Sequence, residues 1–150
     1  MKKVLASIQQ GAVDRTLIPA LEEALRAEYT VQFGPSRLLV IWCEVPRGRA
    51  YTEGRLSDVS WLMVEVADGT AQPARERAML AMAAAFARVA GIGVERMMVT
   101  LCDSTLFAQY LAANRARIRP PARVLFTLKL LWQIVTSRHR FGHTMIGTDY

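Results

Sequence analysis

Length and composition favour one folded domain. The chain has 150 residues, of which 52% are hydrophobic, and this is enough for a real core and too apolar for a disordered protein. No apolar run approaches the roughly 20 residues that a membrane-spanning helix needs. The net charge is +6 at pH 7, much of it between Arg115 and Arg140. This excess favours anionic partners without choosing among small carboxylates, nucleic acid and lipid.

The two cysteines, Cys43 and Cys102, lie at the ends of predicted strands. The chain starts without a secretory signal pattern, so we expect free thiols and a cytoplasmic protein. Cys43 has no histidine near it in sequence and no obvious activating cation. This pattern favours a buried core thiol over a nucleophile.

The first part of the chain, about residues 1–45, is predicted to be a βαβ unit. An apolar strand over residues 3–8 is followed by a helical apolar stripe and by a second strand over residues 38–43. Thr16 is a plausible N-cap for the helix, and Gly34 followed by proline should end it.

A second βαβ unit is predicted over about residues 59–102. Its strands cover residues 60–66 and 97–102, and the helix between them begins near Pro73 and ends at Gly91. The spacing between strand starts, about 35 residues in the first unit and 37 in the second, suits a βαβ crossover. Two such units should form one sheet packed by two helices.

Irregular and helical segments complete the chain. The segment 46–54 is rich in turn residues and is predicted to form a short hairpin. A helical extension is expected over about 103–140, where Asp103 and Ser104 cap a short helix and a proline pair precedes a longer one. The longer helix is apolar nearly all round, so it must be covered. We expect it to pack on a neighbouring subunit or on its own sheet. The alternative is a basic amphipathic helix on a membrane surface, flanked by Arg138 and Arg140, but such helices need a clean polar face, so we expect no membrane partner.

This pattern resembles the tautomerase superfamily. The resemblance is carried by the βαβ repeat that begins at residue 1, by Gly11 after the first strand, by a turn with Gly48, Tyr51 and Gly54, and by the stretch 91–104. It is closest to malonate semialdehyde decarboxylase and cis-3-chloroacrylic acid dehalogenase and covers about residues 1–114. It implies an α/β (α+β) fold that assembles as a homotrimer, whose sheets form a barrel surrounded by helices.

The superfamily also implies chemistry at an amino-terminal proline, and here the chain departs from it. Aligned through Gly11, the position of the proline is held by Met1, and the bulky Lys2 disfavours removal of the methionine. The arginine pair that follows the third strand in the two enzymes corresponds to residues 67–72, which contain no cation. A carboxylate of the decarboxylase falls near Ser36, and polar positions of the fourth strand fall on Met98 and Thr100.

Several residues are candidates for a site. The α-amino group of Met1 could act as a general base or form an imine with a carbonyl compound. For substrate binding the candidates are Arg37, Arg47, Arg49, Tyr51 and Thr100, the arginines because guanidinium groups grip carboxylates. His139 and His143 are too few for a zinc site, which needs three or four ligands. We therefore expect no metal and no cofactor.

Three hypotheses for function remain. The first is a trimeric tautomerase relative that lacks ordinary tautomerase, dehalogenase or decarboxylase activity and binds a small carboxylate or carbonyl compound. The second is an active isomerase or lyase that uses the Met1 amine on a small unsaturated or keto acid, so the sequence leaves open whether the protein is an enzyme. The third is a ferredoxin-like dimeric regulatory domain, which has the same order of elements. No nucleic-acid partner is expected, because the aromatic and basic sheet signature of RNA-recognition motifs is missing.

Overall fold

The fold is described by a computed structural model, which covers residues 1–147. This part of the chain contains seven strands and four α-helices. The strands are β1 (Lys2–Gln9), β2 (Leu38–Val45), β3 (Tyr51–Thr52), β4 (Arg55–Leu56), β5 (Ser60–Val66), β6 (Met97–Asp103) and β7 (Thr144–Gly147). The α-helices are α1 (Ile18–Phe33), α2 (Gln72–Ala90), α3 (Ser104–Ala116) and α4 (Pro120–Phe141).

The main sheet has the strand order β6-β5-β1-β2-β7. Within each βαβ unit the two strands are parallel neighbours, with Lys2 opposite Leu38 in the first unit and Ser60 opposite Met97 in the second. The units join through the antiparallel pair β1 and β5, in which Ala6 lies opposite Leu62. The predicted tandem βαβ sheet is confirmed.

The ferredoxin-like alternative is wrong. A split βαβ unit places another strand between the two parallel strands that its helix connects. Here β1 pairs directly with β2, and β5 pairs directly with β6. The order of elements along the chain is therefore that of a ferredoxin-like domain, but the order of strands in the sheet is different.

The hydrophobic core lies between one face of the sheet and helices α1 and α2. Alternate strand residues point to this face, as the two-residue period of a strand requires. Trp42 at its centre is fully buried, and its ring lies 6.1 Å from that of Phe86 on α2. The fully buried core residues include Val4, Ala6, Ile8, Ile18, Leu21, Leu25, Leu62, Val64, Val66 and Met82.

Two predicted helix caps are wrong in detail. Thr16 does not cap the first helix, since its backbone N–H donates to Asp14 Oδ1 at 2.9 Å in a short 3₁₀ turn that precedes α1. The start of α3 is capped from another part of the chain, because the Thr105 N–H donates to Asp68 Oδ1 at 3.0 Å. The predicted end of α2 is confirmed: Gly91 adopts φ 68°, a left-handed conformation that glycine tolerates best.

The carboxyl-terminal part of the described chain differs most from expectation. After α4, the strand β7 pairs in parallel with β2 and extends the sheet, with Met145 opposite Trp42. This strand was not predicted, because four residues are too few to show a period. The Met145 N–H also donates to Ser137 Oγ at 3.0 Å, which ties β7 to the end of α4.

The sequence left open whether α4 packs on its own sheet, and only part of its apolar surface does so: Phe126 and Leu130 face the sheet. Six other apolar residues of the helix, spaced so that they form one stripe, are exposed in this chain: Val124, Leu125, Leu128, Leu131, Trp132 and Val135. No helix within residues 1–147 combines the length and the apolar character needed to cross a membrane.

Candidate functional site

The six residues predicted for the site do not form one cluster. The Lys2 N–H donates to the Arg37 carbonyl at 2.8 Å, so Met1 and Arg37 are neighbours at the start of β1 and β2. Met1 is 70% exposed ahead of β1. Arg47, Arg49 and Tyr51 are exposed in and beside the hairpin formed by β3 and β4. The structure therefore does not bring the Met1 amine together with Arg47 and Arg49.

The other two predicted residues lie beside concave surfaces. Arg37 precedes β2 and lines a polar groove of about 280 Å³ together with Arg26 and Arg138. Within the groove, Glu22 accepts a hydrogen bond from Trp42 Nε1 at 3.0 Å. Thr100 on β6 accepts a hydrogen bond from Trp61 Nε1 at 3.2 Å, and Trp61 lines a larger cavity.

A polar cluster that the sequence analysis missed lies where β1 begins. This β1 lysine cluster comprises Lys2, Lys3, Glu65 and Ser104. The Lys3 Nζ and backbone N–H each donate to Glu65 Oε2 at 3.2 Å. Lys2 Nζ lies 3.8 Å from Glu65 Oε1 and donates to Ser104 Oγ at 2.5 Å. The antiparallel pairing of β1 with β5 brings these residues together, since Val4 lies opposite Val64.

The environment of Glu65 keeps its carboxylate ionised. Burial by itself would raise the pKa of Glu65, but hydrogen bonding by Ser104 and Lys3 and the positive charge of Lys3 outweigh it, so the pKa is lower than usual. The Lys3 ammonium also lies 5.8 Å from the centre of the Phe107 ring. Such a distance permits a cation–π interaction with α3.

Charges around the cluster balance one another. Arg75 at the start of α2 reaches back to the 67–72 loop, where its Nε donates to the Thr70 carbonyl at 2.8 Å, and it pairs with Asp103. Hydrogen bonds from Thr105 lower the pKa of Asp68, and the nearby positive charge of Lys2 lowers it further. Three cations, counting the two lysines, thus face three carboxylates. A balanced network ties elements together but attracts a free anion only weakly.

One signal could have revealed this cluster. Glu65 is the one charged residue in strand β5, and a buried charge in a strand needs a partner. Two adjacent lysines begin another strand, β1. The sequence shows both features, but which strands are neighbours is decided only by the fold.

A larger concave site is a cavity between the second face of the sheet and the helical hairpin of α3 and α4. Its volume is about 500 Å³, and we call it the hairpin cavity. The sheet contributes mainly apolar side chains, from every second residue of the strands. They are Leu5, Ser7, Ile41, Cys43, Trp61 and Ile146.

The helical wall of the hairpin cavity adds polar groups to an apolar lining. Leu111 and Tyr110 on α3 and Phe126 and Leu130 on α4 supply apolar surface. The polar residues on this wall are Asn114, Arg115, Thr127, Lys129 and Gln133. An apolar pocket with a few polar groups is the usual form of a small-molecule site.

The cysteines do not supply a reactive thiolate. Burial raises the pKa of Cys43, whose side chain lines the hairpin cavity. The pKa of Cys102 is raised by burial and by the neighbouring Asp103. Thiols with raised pKa values are weak nucleophiles at neutral pH. Among residues 1–147, no three His, Cys, Asp or Glu side chains lie close enough to hold a metal ion.

Solved structures share this fold. A fused 4-OT that forms a symmetric trimer superimposes with a TM-score of 0.62 at 19% identity, over 67% of this chain and 84% of that one. A protein called N1, a member of the cis-3-chloroacrylic acid dehalogenase family, gives 0.63 at 16% identity over 67% and 73%. The chain has a tautomerase-like fold. Leishmania major MIF2 is also similar, with a TM-score of 0.53 at 19% identity over 69% and 89%.

The tautomerase fold confirms the tandem βαβ fold implied by the sequence resemblance. The shared 67% is close to the share taken by residues 1–103, which hold the two βαβ units. No protein-family model and no curated protein matches the sequence. At these identities the likeness concerns the fold alone, so function must be argued from the residues of this chain.

Glu65→Gln should lower the free energy of unfolding near neutral pH by about 1–3 kcal/mol, because two ammonium groups lose their carboxylate partner. The folded-state pKa of Glu65 is lowered, so its contribution is complete above the ordinary value of 4.5 and is lost as the pH falls through the folded-state pKa. The difference between parent and variant in urea unfolding should therefore be largest near neutral pH and shrink in acid.

The matched control is Glu76→Gln on α2, where the glutamate is exposed. It should change stability by less than about 0.5 kcal/mol and leave the acid dependence of the parent intact. A Glu65→Gln effect of constant size at every pH would contradict the stabilising role of the ionised carboxylate.

Proposed function

We propose that this tautomerase-fold chain binds a small apolar carboxylate or carbonyl compound in the hairpin cavity and does not carry out proline-dependent chemistry. The observation that carries the proposal is the cavity itself. It is larger than the Arg37 groove and lies on the second face of the sheet, away from the core.

The size and lining of the hairpin cavity support an amphipathic ligand. About 500 Å³ lies within the range of roughly 300–1,000 Å³ that is usual for small-molecule sites. The sheet wall would pack against the apolar body of the ligand, with Trp61 offering an aromatic surface. Arg115 and Lys129 on the helical wall supply the positive charge that a carboxylate needs.

The start of β1 supports the absence of proline chemistry. Lys2 and Lys3 occupy the first positions of the strand, and their backbone N–H groups donate to the Arg37 carbonyl at 2.8 Å and to Glu65 at 3.2 Å. Their side-chain amines are held in the β1 lysine cluster. Met1 is exposed to solvent, where an amine lacks the closed pocket that imine chemistry favours. An active isomerase or lyase based on Met1 is therefore the less favoured hypothesis.

The exposed edge of the sheet supports self-association of the chain. The fused 4-OT structure with this fold is a symmetric trimer. In the present chain β6 is an edge strand of the sheet, and its Met98 is exposed. Open edges pair readily with other strands. We infer that the chain forms a homotrimer.

Light scattering of the purified protein at micromolar concentration should give the mass of a trimer, because an obligate interface of this kind commonly buries more than about 2,000 Å². The trimer should persist on dilution. A stable monomer or dimer would contradict the proposed assembly.

Arg115→Gln should weaken binding of an apolar anion to the hairpin cavity by roughly ten- to a hundredfold, because a charge-assisted hydrogen bond contributes about 1.5–3 kcal/mol. The probe is anilinonaphthalene sulfonate, whose fluorescence rises in apolar surroundings, with phenylpyruvate as the competitor. Titration of parent and variant gives the two dissociation constants.

Arg117→Gln is the matched control for the binding test. Arg117 lies two residues away and does not line the hairpin cavity, so its replacement removes the same charge but should leave the dissociation constant nearly unchanged. Equal losses in both variants would indicate non-specific attraction to the basic hairpin. No saturable binding to the parent would contradict the cavity as the ligand site.

The parent protein should show no appreciable ketonisation of phenylpyruvate or 2-hydroxymuconate and no dehalogenation of 3-chloroacrylates. Loss of a positioned base removes roughly 10² to 10⁴-fold in rate, and loss of a positioned charge roughly another 10² to 10³-fold. Turnover is measured by absorbance, with mass spectrometry to establish the amino terminus of each sample.

A Lys2→Pro variant, processed to expose the proline, is the companion in this assay. It loses the Lys2 hydrogen bonds to Arg37 and Ser104, so its fold must be verified by circular dichroism. Activity in this variant alone would show that the surroundings still support the reaction. Robust turnover by the parent would favour the Met1 amine as the catalytic group.

A further inference from the structure

The outer side of α4 carries an apolar stripe that the chain itself leaves uncovered. We call the six residues Val124, Leu125, Leu128, Leu131, Trp132 and Val135 the α4 stripe. Each is more than half exposed, and Trp132 at 71% is among the most exposed large apolar residues of the protein. The opposite side of the helix, with Phe126 and Leu130, lies over the hairpin cavity. The stripe therefore points away from the rest of the chain.

The net positive charge of the protein comes from the same hairpin. Residues 1–103 contain twelve lysines and arginines and twelve aspartates and glutamates, so their net charge is zero. Residues 104–148 contain seven lysines and arginines and no carboxylate side chain. The whole excess of the protein thus lies on the segment that carries the α4 stripe.

Basic residues border the stripe on both sides. At about 100° per residue around a helix, Arg138 lies about 80° from Leu128 on one side. Lys129 and Arg140 lie about 100° and 120° away on the other. Arg138 and Arg140 are exposed in the last turn of the helix. Apolar residues including tryptophan, flanked by arginine and lysine, are typical of helices that lie in a membrane interface.

We propose that α4 docks flat on an anionic lipid bilayer, with the α4 stripe in the interface and the flanking cations at the headgroups. A second copy of the hairpin is a poor match for this surface, since it would bring another seven positive charges and no carboxylate of its own against it. Anionic lipid complements both properties at once. Docking in this way requires no helix that spans the bilayer.

The test is sedimentation of the full-length protein with vesicles of phosphatidylcholine alone or with about one third phosphatidylserine. Binding should appear with the anionic vesicles, be weak with the neutral ones, and fall at least tenfold when the salt concentration rises from about 0.1 to about 0.5 M. Equal binding to both vesicle types would overturn the proposal, and so would no binding to either.

Trp132→Asp should reduce binding to anionic vesicles at least tenfold, because it places a carboxylate in the stripe. The control is Leu80→Asp on α2, whose side chain is 73% exposed and lies outside the hairpin. It adds the same charge and should bind like the parent. Equal losses in the two variants would mean that charge alone governs binding, and the stripe would not be in contact with lipid.

If Trp132→Asp folds poorly, arginine variants and tryptophan emission test the same contact with lipid. Arg138→Gln with Arg140→Gln should weaken binding about tenfold, whereas Arg77→Gln with Arg88→Gln on α2 should not. In the parent, tryptophan emission should shift to shorter wavelength on vesicle binding, and Trp132→Phe should bind but lose most of the shift. If Trp132→Asp instead dissociates an assembly that ignores vesicles, another copy covers the stripe and the proposal is wrong.

Discussion

The antiparallel pairing of β1 with β5 is the contact on which the rest of the structure depends. Each βαβ unit forms its own pair of parallel strands. Without the pairing of β1 with β5, each of these two-stranded sheets would expose a further edge, and the core would be divided into two smaller parts. The pairing places Val4 beside Val64 and Ala6 beside Leu62, so that both helices pack over one continuous apolar face. It also brings Glu65 to Lys3. The polar cluster and the hydrophobic core thus follow from one strand register.

A sheet formed in this way has two faces, and the chain uses them differently. Helices α1 and α2 cover one face with densely packed apolar side chains. The second face is covered by α3 and α4, which leave the hairpin cavity between themselves and the strands. Because alternate residues of a strand face opposite sides, Trp42 belongs to the core while its neighbour Cys43 lines the cavity. A change of one residue in register would exchange these roles.

The two βαβ units and the α3–α4 hairpin differ in net charge as well as in topology. The two βαβ units are neutral as a whole, and their charged residues engage in local pairs such as Arg75 with Asp103. The α3–α4 hairpin is basic throughout and has no acidic side chain with which to neutralise itself. Such a basic segment is stabilised by an anionic partner and not by contact with another basic hairpin. The proposed ligand site and the proposed membrane contact both lie on this hairpin, on opposite sides of α4.

The sequence by itself determined the helices and the strands of the two βαβ units, because these depend on local periodicity and on residues such as Pro73 and Gly91. It also predicted the tandem βαβ organisation and the resemblance to the tautomerase superfamily. Tertiary structure alone decided which strands are neighbours, that β7 joins the sheet beside β2, and that Asp68 rather than Asp103 caps α3. It also decided that Lys2, Lys3 and Glu65 meet, and that Arg37 lines the polar groove and not the hairpin cavity. Contacts between residues distant in the chain depend on strand order and register, which no local pattern contains.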